Sequence, residues 1–371
     1  MHILHLVPSK SWRGGENQVS TLAQGLLKQG IQTTVATPKD SLFTSKSPHI
    51  PLIHLPKLSP YGLWTILKFI RDEKVTHIDV HSSHAHNWGL LLKIFNQNLV
   101  LIVHRRVDNP PNHALKYKTQ LIDHYVPISE AIQNVLLKTG IPKHRMSVIH
   151  SATDSEKFLS IDPCISRANL VDFCNIPAHS QIVGTTAALS PQKGIDTLLE
   201  AIAILKKDHP LLHICIAGDG ALRQSLEEKT HALKITKHVT FMGWVEDTSD
   251  FLSALDIFAL PSNNEGLGTS ILDAFHAKKC VVATQVGGIP EMVKPMKTGL
   301  LVPSKNPAEL AKALDTVLQD DHLRQRLAVG GHQLVESLFT KELMIRKNIE
   351  IYNRIQSLKL SKPSLKLKQS K

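Results

Sequence analysis

Residues 258–290 read FALPSNNEGLGTSILDAFHAKKCVVATQVGGIP. A short apolar run, Ile257–Leu260, meets a polar turn over Pro261–Glu265 and then a glycine loop. A helical pattern follows over Thr269–Lys278, and a second apolar run, Val281–Thr284, ends at Gly287-Gly288. Short apolar runs on either side of a helix predict a βαβ unit, with strands buried on both faces of a parallel sheet. Glu265 and Asp273 lie eight residues apart, one before the helix and one about a turn inside it. Between them, the backbone N–H groups near Gly268, Thr269 and Ser270 are helix-start donors that suit a phosphate. Acids that bind hydroxyls, beside donors that bind phosphate, describe a site for a sugar nucleotide. Every α/β domain contains strand–loop–helix units, so a plain structural turn remains the alternative on this stretch alone.

Working outward, the same alternation fills the chain. Ile3–Val7 reads as a strand, followed by Arg13-Gly14-Gly15 and a helix with Val19, Leu22, Ala23, Leu26 and Leu27 on one face. Gly30 stands as its C′ residue, before a strand at Ile31–Ala36. Helices are expected at Leu63–Ile70 and Trp88–Phe95, and strands at Val75–Val80, Leu99–Val103, Asp123–Ile128 and Met146–Ile149. Ser129 is placed to cap a helix. Residues 154–180 lack strong periodicity, which puts a linker there. The pattern then restarts with strands at Ile182–Thr186, Leu211–Ala217 and Val239–Phe241 and a helix expected to be capped by Asp196. After the opening stretch come Gly299–Val302 and helices over about 307–318, 321–337 and 340–357. No solenoid period is present.

The totals agree with two α/β domains. A chain of 371 residues with 42% hydrophobic content exceeds one typical domain. The net charge of +11 favours anionic partners such as nucleotides or acidic lipid headgroups, a solvated basic face being the alternative. The basic residues are not interleaved with aromatics, which argues against nucleic acid. Four cysteines without a C-x-x-C pair read as reduced thiols in a cytosolic protein. No signal peptide or bilayer-length apolar run is read, so membrane contact would be peripheral.

His81, His84 and His86 follow a strand without a carboxylate or cysteine at ligand spacing, so a polar edge is preferred to a metal site. His104, Arg105 and Arg106 stand at a strand's carboxyl end, where a cation can hold a phosphate or an acidic acceptor; surface charge is the alternative. Lys193, in a loop between strand and helix, can neutralise charge on a departing diphosphate. Gly218-Asp219-Gly220 follows another strand and also fits a simple turn. There is no Asp-x-Asp to hold Mg²⁺.

In order and spacing these stretches resemble the retaining glycosyltransferases of family 4. The marks are Gly14-Gly15-Glu16, Val126-Pro127-Ile128-Ser129-Glu130, Lys193-Gly194, Ala217-Gly218-Asp219-Gly220, and Pro261-Ser262-Asn263-Asn264-Glu265-Gly266-Leu267-Gly268 through Gly287-Gly288-Ile289-Pro290-Glu291. The resemblance implies the GT-B fold, two Rossmann-like parallel-sheet domains facing across a cleft. Residues 1–175 would form the acceptor-side domain and 176–340 the nucleotide-sugar domain. Residues 341–358 would form a helix crossing back to the first domain, and 359–371 a basic tail. Gly14 and Gly15 would lie against donor phosphate or acceptor, and Lys193 would bind the diphosphate. Glu265 would bind the transferred sugar's hydroxyls. Gly218, Gly268, Thr269 and Ser270 would line the donor phosphates, and Asp273 would hold the ribose. Three departures stand out. Asp273 is one methylene shorter than the family's usual Glu. Ala188 stands where an Arg is often found. Arg106 occupies the register of the usual N-domain histidine, with His104 two residues earlier, so both are catalytic candidates.

The opening Trp12-Arg13-Gly14-Gly15-Glu16 and His104-Arg105-Arg106-Val107-Asp108 resemble bacterial enzymes of lipopolysaccharide or cell-surface polysaccharide synthesis. The expected activity is transfer of a sugar from a nucleotide-diphosphate sugar to a hydroxyl of a glycan or lipid-linked acceptor, with retention and without a metal or other cofactor. The expected location is cytoplasmic, with peripheral association to the inner face of an anionic membrane. The alternatives are a sugar-nucleotide epimerase on the same fold and a non-catalytic nucleotide-sugar-binding protein.

Overall fold

Both halves of the chain use their apolar runs as buried parallel strands. A computed structural model describes residues 1–110 and 114–361. The chain divides into one unit of Met1–His150 with the C-terminal helix Lys341–Leu360, and a second unit of Ser151–Thr340. The first holds β1 (His2–Leu6), β2 (Gln32–Thr37), β3 (Leu52–His54), β4 (His77–Val80), β5 (Val100–Arg105) and β6 (His124–Pro127) in the order β3-β2-β1-β4-β5-β6. The second holds β7 (Gln181–Thr186), β8 (Leu212–Ala217), β9 (Val239–Gly243), β10 (Ile257–Leu260), β11 (Cys280–Thr284) and β12 (Leu300–Val302) in the order β12-β11-β10-β7-β8-β9.

The two orders are the same topology. In each, the first strand is central, the next two extend to one side and the last three to the other. All named strand pairs are parallel. The direction of winding reverses between β1 and β4 and between β7 and β10, where open α/β sheets leave a ligand crevice at their carboxyl edges.

Helices cover both faces, so the strands read as continuous apolar runs. In the first unit Leu4, Leu6, Ile78, Val80, Leu101 and Val103 belong to one core cluster, while Val19, Ala23, Val35 and Phe43 form another. The helix Lys341–Leu360 packs on the helix Gly14–Lys28. A Cβ on Gly25 would lie 2.1 Å from Ile345 Cδ1, so that glycine permits the close approach. In the second unit Val183, Ile214, Ile216, Ile257, Ala259 and Val282 form one core with helix residues Leu198, Ile202 and Leu314.

Several sequence expectations are corrected. Residues 163–174 are not a linker but the helix Pro163–Cys174, whose Arg167 meets Asp256 at 2.9 Å. That packing joins the segment to the second unit and moves the division to His150/Ser151, ahead of residue 175. The helix expected from Trp88 starts at Ser83, because Ser82 Oγ accepts from Ala85 N at 3.2 Å. Asp196 does not cap its helix; Gly194 stands at the N-cap in the left-handed region, with φ 61°. Met146–Ile149 lies alongside β6, with Ser147 N and Ile149 N donating to Tyr125 O and Pro127 O at 3.1 Å, but its pairing stops at an isolated bridge from Met146 to Tyr125 and forms no seventh strand. Ser129 does cap, accepting from Ile132 N at 3.2 Å. Residues 362–371 of the lysine-rich tail lie outside the described residues.

Candidate functional site

The winding reversal of the second unit is where its predicted residues gather. The loop after β7 is held against the loop after β10 by hydrogen bonds to its backbone carbonyls. Asn263 N donates to Gln192 O at 2.7 Å, and Asn263 Nδ2 donates to Pro191 O at 2.8 Å. Gly194 completes the join. A Cβ there would sit 2.1 Å from Pro261 O, on a backbone already at positive φ, so glycine is required. Thr284 Oγ1, at the end of β11, donates to Ser262 O at 2.5 Å and anchors the second loop.

These constraints place Lys193 Nζ 2.5 Å from Glu265 Oε2, with both side chains mostly withdrawn from solvent. The same carboxylate oxygen accepts from Ser262 Oγ at 3.3 Å, and the Glu265 carbonyl accepts from Gly288 N at 3.3 Å. Gly268 is the N-cap of the helix Thr269–His276 and offers no side-chain cap. Its φ is 90°, and a Cβ there would press on Glu265 Cγ at 3.3 Å. Lys193, Glu265, Gly268, Thr269 and Ser270 are therefore brought together. Gly218 belongs to the next loop along. A Cβ on it would lie 1.9 Å from Ala187 O, and Leu189 N donates to Asp219 O at 3.0 Å. The loops after β7, β8 and β10 thus form one surface, with a cation, a carboxylate and helix-start amides on it.

Asp273 stands apart from that ion pair. Its neighbours are Thr153, Lys157, Asp154 and Asp247. Burial pushes its carboxyl up to about 7, against the opposing pull of Lys157. The sequence did not foresee these neighbours, since Asp154 and Lys157 fall in the segment 154–180, where periodicity fades, and Thr153 stands just before it.

In the first unit the carboxyl edge of β1, β4 and β5 holds a buried polar network. Arg13 N donates to Glu16 Oε2 at 3.0 Å, closing the start of the helix Gly14–Lys28. Gly15 lies beneath the Arg106 side chain, its would-be Cβ 3.9 Å from Arg106 Cδ. Arg106 Nη2 lies 3.3 Å from His81 Nδ1, and His81 Nε2 lies 3.1 Å from His5 Nδ1. A guanidinium can only donate, so His81 Nδ1 accepts. A neutral His81 then carries its proton on Nε2 and donates it to His5. Burial lowers His5 to about 4, which agrees with a neutral ring. Burial also pulls Arg106 down to about 10, against the opposing charges of Glu16 and Asp79.

The centre of the network is Asp79, fully buried on β4. Its Oδ2 accepts from His104 Nε2 at 3.0 Å and from Tyr352 Oη at 2.5 Å. Burial alone would raise this carboxyl; His104, His5 and Tyr352 outweigh it and hold it below the usual range. His104 and Arg106 thus belong to one network, with Gly14 and Gly15 at its edge. Sequence reasoning missed Asp79 and Tyr352. The available signal was an acid inside the buried run His77–Val80. Nothing local marks Tyr352, which comes from the far end of the chain. The histidine triplet is divided: His84 is exposed, and His86 packs edge-on against Tyr117 at 4.7 Å.

Comparison with known proteins bears on the family and the fold. A family profile described as "Glycosyltransferase Family 4" matches residues 12–157, and one described as "Glycosyl transferases group 1" matches residues 167–333. The chain is 31% identical to the lipopolysaccharide core biosynthesis glycosyltransferase LpsE of Rhizobium meliloti, over 54% of this chain and 55% of that protein. It is 27% identical to the D-inositol 3-phosphate glycosyltransferase of Corynebacterium glutamicum, over 89% of this chain and 88% of that protein. The chain spans just over half the length of the Rhizobium protein. Among solved structures, Anabaena Alr3699/HepE in complex with UDP superposes with a TM-score of 0.85 at 21% identity, covering 95% of this chain and all of that one. This last likeness establishes the fold.

Proposed function

The chain belongs to the glycosyltransferases, family 4 in its first half and group 1 in its second, and on that premise we propose that it transfers a sugar from a nucleotide-diphosphate sugar to a hydroxyl of a glycan or lipid-linked acceptor. The observation that carries the reading is the Lys193–Glu265 pair, 2.5 Å apart beside the uncapped start of the helix Thr269–His276. A diphosphate would draw the Lys193 ammonium and accept from the amides of Thr269 and Ser270. Glu265, released from Lys193, would accept from hydroxyls of the transferred sugar. Asp273 would hold the ribose. As the glycosidic bond to the diphosphate breaks, negative charge grows on the leaving oxygen, and Lys193 stabilises that charge. No metal is needed for this step. Gly14, Gly15, His104 and Arg106 would serve the acceptor, with Asp79 fixing His104 and His81 fixing Arg106.

Retention of configuration, a role in lipopolysaccharide or surface polysaccharide synthesis and a cytoplasmic location belong to the same proposal. The names of the Rhizobium relative and of the Escherichia coli O-antigen glycosyltransferase WclY support the polysaccharide role. Peripheral membrane association is supported by an exposed patch. Leu58, Tyr61 and Trp64 are 47%, 74% and 58% exposed, beside Lys57 and Lys68. No helix among the described residues is long and apolar enough to cross a membrane.

The test is a panel of UDP-, GDP- and ADP-sugars, with thermal shift for binding and nucleoside diphosphate release for turnover, each with and without glycan acceptors. Release that requires acceptor supports the reading, and turnover should survive EDTA. Proton NMR of the product's anomeric centre tests retention. An altered free sugar without acceptor would make the protein an epimerase. Tight donor binding without turnover on any acceptor would make it a binding protein.

A further inference from the structure

The second unit holds a pair of thiols that the proposed transfer does not use. Along β8, Leu212, Ile214 and Ile216 join the main core, so His213 and Cys215 point to the opposite face. Thr240 of β9 lies in register beside Cys215. The helix Pro163–Cys174 covers this face and delivers Cys174 as its last residue. Polar contacts fix the helix there: Ser166 Oγ donates to Asp250 Oδ1 at 2.7 Å, and Arg167 Nη1 donates to Ala254 O at 2.9 Å. Cys174 Sγ comes to 3.5 Å from Cys215 Sγ. His213 Nε2 shares a 2.8 Å hydrogen bond with Thr240 Oγ1, and a nitrogen of this histidine lies within 4.8 Å of both sulfurs. Cys174 is half-buried and reachable from solvent, whereas Cys215 is buried.

We infer that Cys174 and Cys215 are a reversible redox modification site, oxidised by peroxide to an intramolecular disulfide. The two sulfurs differ in the way such a reaction requires. The hydrogen bond from Cys215 lowers the Cys174 thiol against the effect of burial, with His213 and Thr240 pulling the same way. The same contact and burial raise Cys215. Cys174 is thus the accessible sulfur with the lowered thiol, and Cys215 is the buried sulfur directly behind it.

In the first step the Cys174 thiolate attacks one peroxide oxygen. The S–O bond forms, the O–O bond breaks, and the departing hydroxide takes a proton to become water. The sulfur, oxidised by two electrons, is now a sulfenic acid. In the second step Cys215 attacks that sulfur and gives its thiol proton to the departing hydroxide. The S–S bond forms, the S–O bond breaks, and a second water leaves. Two thiols and one peroxide become one disulfide and two waters. Side-chain rotation can close the remaining gap between the sulfurs, since a disulfide is far shorter than their present separation.

The test uses the full chain carrying Cys164→Ala, which removes the exposed thiol outside this pair. Near-stoichiometric hydrogen peroxide should give a monomer lighter by two hydrogen atoms, and alkylation under denaturing conditions should then leave Cys174 and Cys215 unlabelled. One cross-linked peptide should join Cys174 to Cys215, and dithiothreitol should restore both thiols. In a Cys215→Ser background, dimedone should label Cys174. In a Cys174→Ser background, Cys215 should remain alkylatable after unfolding. The inference fails if both cysteines remain free at a peroxide dose that oxidises glutathione in the same tube. It fails equally if oxidation yields only sulfinic acid or only cross-links between chains. Should Cys215→Ser fail to fold, the peptide map of the Cys164→Ala protein decides alone.

Discussion

Lys193 concentrates the chemistry of the proposed site at one residue. Among the described residues its ammonium pairs with one carboxylate, Glu265, which a diphosphate would replace. Lys193→Ala should therefore lower turnover by about a hundred- to a thousand-fold, the usual cost of removing one preorganised electrostatic contact from a transition state. Affinity for the free nucleoside should hardly change, and equal losses in turnover and nucleoside affinity would remove Lys193 from the leaving-group role. Asp273 yields a different measurement. Its folded pKa of about 7 lies above the ordinary carboxylate value of about 3.9. The folded chain thus holds a proton that the unfolded chain has lost. Between those two values stability falls as pH rises, and above about 7 the full penalty of the buried anion is present. Asp273→Asn should raise Tm relative to the parent at pH 8 and change it little at pH 4. A ribose contact adds a second readout, because the ionised acid is the better acceptor. Affinity for an intact nucleotide sugar, whose diphosphate is fully ionised across this range, should rise between pH 6 and 8 in the parent and stay flat in Asp273→Asn. A flat parent profile would remove Asp273 from the ribose.

At the scale of elements, the helix Lys341–Leu360 brings Tyr352 to Asp79 and so completes the buried network of the first unit. Tyr352→Phe keeps the ring and removes a donor to a buried carboxylate. The expected cost is about 1.5–3 kcal/mol, read as a lower midpoint in urea with an unchanged slope. Turnover should fall further than stability explains if Asp79 then turns from His104; an unchanged turnover in a fully folded variant would limit Tyr352 to a structural role. This network was illegible in the sequence because its members come from β1, β4, β5 and a helix at the far end of the chain. Strand periodicity predicted each buried run but not which polar side chains meet between them. The opposite held for Lys193 and Glu265, which were legible because both stand just past strands in βα loops, where side chains are free of the core. The helix Pro163–Cys174 escaped notice for a physical reason too. It buries only Ser166 and Leu170 and is fixed largely by Ser166 and Arg167, so it shows no apolar stripe. Gly194 supplied the N-cap in place of Asp196 because only glycine fits against Pro261 O at positive φ.

At the scale of the whole molecule, the division into two α/β halves was visible in advance as two runs of βα alternation, while the strand order that the two sheets share came from the structure. Charge was legible only as a total. The basic tail read from Lys359 onward is one candidate surface for the proposed membrane contact, and residues 362–371 of it lie outside the described residues. The structure adds a second candidate surface on the helix Pro60–Asp72, where Tyr61, Trp64 and Lys68 share one face. The Tyr61 and Trp64 rings are 6.2 Å apart, and Lys68 Nζ lies 5.6 Å from the Trp64 ring. Tyr and Trp favour the headgroup layer, where an apolar ring meets water, while each nearby lysine adds about 1 kcal/mol of attraction to an anionic surface. The two candidates make separable predictions. Tyr61→Ser with Trp64→Ser should weaken binding to vesicles containing phosphatidylglycerol and leave its salt dependence in place, because the rings contribute burial and not charge. Truncation after Ser361, which spares Lys359 on Leu99 O and Asp123, should instead flatten the salt dependence, since the stretch it removes carries lysines and no acid. Turnover on a water-soluble acceptor should survive both changes. If the double serine variant binds these vesicles as tightly as the parent, the helix face has no part in membrane contact and the tail alone carries the attraction. If neither change matters, the peripheral membrane proposal is wrong, and the basic surface serves nucleotides or solvent.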